Sequence, residues 1–95
     1  MEFKQNPEAE VVGTSFYEVT IRESFAFMVK ALGEPHFEAS PEDKVRYEWV
    51  FTNSDGRTVT VYDWKSNSNK PNIWHVGGKN REDTLLFREW FDNLS

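Results

Sequence analysis

Between Lys44 and Phe51 the chain alternates strictly: Val45, Tyr47, Trp49 and Phe51 fall on one side, Arg46 and Glu48 on the other. A period of two predicts a half-buried strand. Asn53-Ser54-Asp55-Gly56 follows, and Asp-Gly tolerates the positive φ of a tight hairpin. The partner strand would be RTVTVYDW, with Val59, Val61 and Asp63 facing one way and Thr58, Thr60, Tyr62 and Trp64 the other. After the polar loop SNSNKPN, NIWHV predicts a short further strand ending at Gly77-Gly78. Upstream, the β-branched and aromatic run TSFYEVTI (14–21) predicts an earlier strand.

Two stretches change period. Phe25, Met28, Val29 and Leu32 recur at helical spacing, and the pattern predicts a helix over 22–32. Thr20 with Glu23 forms a candidate capping box, Ser24 is a competing start, and Gly33 and Pro35 end the run. Near the C-terminus, Leu86, Phe87, Trp90, Phe91 and Leu94 make a wide apolar stripe, with Asn80 as N-cap and Glu82 and Asp83 in the first turn. The predicted order is β-α-β-β-β-α, an α+β fold with two helices on one face of an antiparallel sheet. Residues 1–12 read as a polar arm before a single domain over 13–95.

Ninety-five residues support one core. Eight Phe, four Trp and three Tyr supply it, since each ring buries on the order of 150–250 Å². The chain has no cysteine, which excludes disulfides and thiolate metal sites. No stretch approaches the roughly 18 apolar residues of a membrane span, and the first residues lack the apolar core of a signal peptide. A cytoplasmic location is the expectation.

The net charge of −5 argues against general nucleic-acid binding, which relies on phosphate neutralisation. From Trp64 to Arg81, however, every charged residue is basic: Lys65, Lys70, Lys79 and Arg81. Trp64 and Trp74 flank this segment, as stacking rings for a base or as a cross-strand pair closing a wide hairpin. Gly77-Gly78 before a helix suits close backbone approach to a phosphate, or simply chain reversal; Glu82 and Asp83 oppose an anion there. The candidate ligand-binding set is Tyr62, Trp64, Lys65, Asn72, Trp74, His75, Gly77, Gly78, Lys79 and Arg81. His36 and His75 lack metal-ligand spacing, and no HExxH, P-loop or GxSxG occurs, so neither metal, cofactor nor catalysis is expected.

The segments FMVKALGEPHF, DKVRYEWVF, SDGRTVTVYDWK and WHVGG, in that order, resemble a group of small phage-encoded proteins of mostly unassigned function. They share an LGEP helix end, a DKV-EW strand, a YDWK strand and a WH(I/V)GG segment. The resemblance covers about residues 14–80 and implies a viral origin. It suggests a protein that counters host defence by binding, for instance by sequestering a cyclic nucleotide immune signal. The alternative is an acidic protein–protein inhibitor of a host defence protein such as a Cas nuclease, docking through Glu34, Glu38, Glu42, Asp43 and Glu48. A site shared between subunits, hence a homo-oligomer, is expected in the nucleotide case.

Overall fold

The computed structural model describes residues 2–35, 37–38, 47–63 and 73–94. In chain order they form β1 (Phe3–Gln5), β2 (Ser15–Arg22), α1 (Phe25–Leu32), β3 (Phe37–Glu38), β4 (Tyr47–Asn53), β5 (Thr58–Tyr62), β6 (Ile73–Gly78) and α2 (Arg81–Asp92). The strands make one antiparallel sheet in the order β1-β4-β5-β6-β2, with β3 also paired to β4. Both helices contribute to a single core with the Trp49, Phe51, Val59, Val61, Trp74 and Val76 side of the sheet. The class is α+β, as the periodicities predict. No helix among the described residues is long and apolar enough to cross a membrane.

The β4–β5 hairpin forms where Asn-Ser-Asp-Gly predicts it. Asn53 Oδ1 accepts from the amides of Asp55 and Arg57, both at 3.0 Å. Glu48 stands opposite Tyr62, Val50 opposite Thr60 and Thr52 opposite Thr58.

The structure corrects the expected polar arm, because Phe3–Gln5 is a strand on the β4 edge, with Phe3 opposite Asn53. The Phe3 ring is 4% exposed and meets Phe87 edge-on at 5.2 Å. One apolar residue among polar neighbours gives no readable period, so the sequence carries no local sign of this strand.

Helix α1 starts three residues later than expected. Ser24 is the cap, its Oγ accepting from the Phe27 amide at 3.1 Å. Thr20 is held in β2 opposite His75, so the Thr20–Glu23 box does not form. Eight residues are too few for a helix to be stable in isolation, and tertiary contacts must supply the difference. Met28 and Leu32 bury into the core. The indole of Trp74 donates to the Glu23 carbonyl and that of Trp49 to the Gly33 carbonyl, each at 2.8 Å. Gln5 Nε2 donates to the Leu32 carbonyl. Gly33 has φ +87°, and a Cβ there would come within 2.6 Å of the Gln5 amide nitrogen. Side chains from three strands thus fasten both ends of one short helix.

Helix α2 has the predicted cap: Asn80 Oδ1 accepts from the Asp83 amide at 2.9 Å. Phe87 and Phe91 face the core. The Arg57 guanidinium, on the β4–β5 turn, reaches Asp83 at 2.5 Å and Glu82 at 2.6 Å. On the other side, Arg88 donates to the Thr20 carbonyl of β2 and pairs with Asp92 at 3.3 Å.

Candidate functional site

Alternation sorts each central strand between the helix-covered face and the outer one. On β4, Trp49 and Phe51 face the helices, leaving Glu48, Val50 and Thr52 on the outer face. Val59 and Val61 of β5 also face the helices; Thr58, Thr60 and Tyr62 do not. On β6, Trp74 and Val76 face inward, so His75 and Gly77 face outward. Pairing then lines up Phe37, Glu48, Tyr62, His75 and Thr20 across five strands, with Val50, Thr60, Gly77 and Phe16 in the next row.

Rings on this face form a ladder. Phe16 stacks on His75 at 4.1 Å with 13° between planes, and Tyr62 meets His75 edge-on at 5.4 Å and 71°. A bulge sets the first contact. Phe16 and Val19 pair with the consecutive residues Gly77 and Val76, so Tyr17 and Glu18 are extra, and Glu18 takes φ +66°. Tyr17 Oη donates to the Lys79 carbonyl at 3.2 Å.

Gly77 leaves room for the Tyr62 ring. A Cβ at Gly77 would stand 2.6 Å from Thr60 Oγ1 and 3.4 Å from the Tyr62 ring. The missing side chain leaves that room, and an aromatic ring from the neighbouring strand fills it. Val50, Thr58 and Thr60 on this face are buried, whereas Phe16 is 39% exposed.

The electrostatics follow from partial burial. Desolvation raises the Glu48 carboxyl above its ordinary pKa. Tyr62 is also raised, first by burial and then by the Glu48 charge. Burial lowers the His75 imidazole, which favours its neutral form at neutral pH. Glu48 makes no side-chain hydrogen bond or ion pair among the described residues.

Of the ten site residues expected from sequence, the structure brings Tyr62 and His75 together. Trp64, Lys65 and Asn72 lie outside the described residues. Trp74 requires correction as a stacking ring. It is 4% exposed, packs edge-on against Trp49 at 5.4 Å, and lies on the opposite face from Tyr62. Gly77 and Gly78 are corrected too. They belong to β6, paired on one side with Thr60 and Val59 and on the other with Phe16 and Ser15. A backbone flanked by strands on both sides offers no phosphate cradle.

Lys79 and Arg81 are exposed at the start of α2. The helix N-terminus itself is occupied by the Asn80 cap and by Asp83 and Glu82, whose charges Arg57 answers. That arrangement suits a structural clamp better than an anion site. For the acidic docking surface, Glu42 and Asp43 lie outside the described residues, Glu34 is exposed and Glu48 is on the outer face. Among the described residues no cluster of His, Asp and Glu could hold a metal ion. Two open grooves, about 420 Å³ beside Lys4 and Thr52 and about 400 Å³ beside Phe27 and Leu94, share no residue with the ring ladder.

Sequence reasoning missed Phe16 as a site residue and gave Glu48 only a surface role. Phe16 reaches His75 through its pairing with Gly77, far away in the chain, which no local pattern signals. The burial of Trp74, by contrast, is legible in the sequence. In IWHVGG, Trp74 and Val76 alternate with His75 and Gly77, and two large apolar residues at i and i+2 mark the buried face. No protein-family model, curated protein or solved structure matches the chain.

Proposed function

We propose that this is a non-catalytic binding protein that takes a small phosphorylated ring compound, a nucleotide, on the outer face of its sheet. The Phe16–His75–Tyr62 ladder carries this reading, because contiguous rings on an outer sheet face are a stacking platform. Base stacking on such rings contributes about 1–3 kcal/mol per base. Lys79, just past the end of β6, and Arg81 are exposed cations that could meet a phosphate through their side chains, although the α2 N-terminus itself is taken by its cap and the Arg57 clamp. In the phage setting that the sequence resemblance implies, binding of this kind would withdraw a nucleotide immune signal from the host. A sheet face touches one side of a ring, and a second copy laid over it would enclose the other, so a dimer belongs to this proposal.

Titration calorimetry against a panel of linear and cyclic nucleotides tests it. Heat is expected with at least one ligand, and Phe16→Ala should weaken that binding by about tenfold with unchanged circular dichroism. Absence of heat across the panel sinks the proposal. Light scattering with and without the bound ligand tests the dimer separately.

A further inference from the structure

Glu48 is poorly accommodated where it stands. It is a half-buried carboxyl beside Tyr62, with no side-chain hydrogen bond or ion pair among the described residues. Among the described residues nothing offsets the cost of desolvating its charge. Perturbed carboxyls cluster at functional sites.

We infer that Glu48 reads the N–H edge of the bound ring, and that the preferred base is guanine. The inference rests on the nucleotide reading above. Glu48 stands in its row between Phe37 and Tyr62, with His75 following, each pair directly opposite and about 5 Å apart at Cβ. The carboxyl therefore stands at one end of the ladder, with Phe16 beside its other end and Lys79 two residues past Gly77. A base lying over Tyr62 with its sugar toward Phe16 directs its Watson–Crick edge at β4. Guanine presents two adjacent donors there, N1–H and the N2 amine, which match the two acceptor oxygens of an ionised carboxylate. Adenine presents one donor beside the N1 lone pair, cytosine one donor beside the N3 lone pair, and uracil one donor between two carbonyls. Only guanine satisfies both oxygens, and a site whose polar group is left unpaired rejects the alternatives.

Calorimetry with GMP and AMP on the wild type and on Glu48→Gln provides the test. The wild type is expected to bind GMP at least about tenfold more tightly than AMP, the discrimination a good bidentate contact supplies. Glu48→Gln should lose about that factor for GMP and bind AMP at least as well as the wild type, because its amide pairs an acceptor and a donor with adenine's N6 amine and N1. Equal wild-type affinities for GMP and AMP, or a variant that keeps the preference, overturn the inference and leave the nucleotide proposal standing. Failure of the wild type to bind any nucleotide overturns both. Should the variant not fold, the Glu48 carboxyl carbon shift in labelled wild-type protein decides: it must move with GMP and stay with AMP.

Discussion

Glu48 and His75 flank Tyr62 on neighbouring strands, and burial drives their titrations in opposite directions. The folded state holds the Glu48 proton more firmly than the unfolded chain does. Stability should therefore fall as pH rises through the ordinary carboxyl range to the raised value, and stay reduced above it. Glu48→Gln is expected to raise the urea midpoint at neutral pH and to lose the advantage in acid. For His75 the unfolded chain binds the proton more readily, so stability falls as pH drops through about 6.5 toward the lowered value. His75→Asn should remove that step from a plot of urea midpoint against pH. Gly77 makes a steric prediction at the same scale. Gly77→Ala should cost about 1–3 kcal/mol, since its Cβ meets Thr60 Oγ1 at 2.6 Å and the Ser15 carbonyl at 3.3 Å. Chemical denaturation of the double variant with Thr60→Ala should show part of that loss recovered.

At the scale of elements, periodicity was informative wherever an element was long enough to repeat. The hairpin of β4 and β5 and helix α2 stand where alternation, turn chemistry and the Asn80 cap place them. β1 and β3, with three and two residues, could not be read, because their pairing is specified by β4 and by no pattern of their own. The apolar face of α1 is legible in the sequence but its start is not, since Thr20 has a better use in the sheet. The candidate site was legible only in part for the same reason: Tyr62 and His75 are local to the β5–β6 segment, whereas Phe16 arrives through β2. Phe3→Ala should expose how much β1 matters. Loss of a buried Phe of this kind costs about 3–5 kcal/mol, measurable as a lowered urea midpoint. Hydrogen exchange in α1 should rise in the same variant, because β1 also carries the Gln5 amide that holds the Leu32 carbonyl.

For the whole molecule, the two borders of the sheet differ. β4 is flanked by β1 and β3, whereas β2 ends the strand order with eight residues and no further described partner. Exposed edge strands invite pairing with other chains, and bulges and charged side chains discourage it. Here the bulge at Tyr17–Glu18 and the Arg88 bond to the Thr20 carbonyl fill those roles. Arg88→Ala is expected to increase self-association in concentration-dependent light scattering, and a variant no more associated than the wild type would refute the guard. One arrangement also gives the molecule its own optical reporter. Trp49 and Trp74 meet edge-on at 5.4 Å although their strands are separated by β5. Two indoles so close couple their electronic transitions, and the coupling vanishes unless β4, β5 and β6 are all in register. The exciton band of that pair in circular dichroism therefore follows assembly of the sheet's centre, independently of the helical signal, in any refolding or ligand-binding experiment.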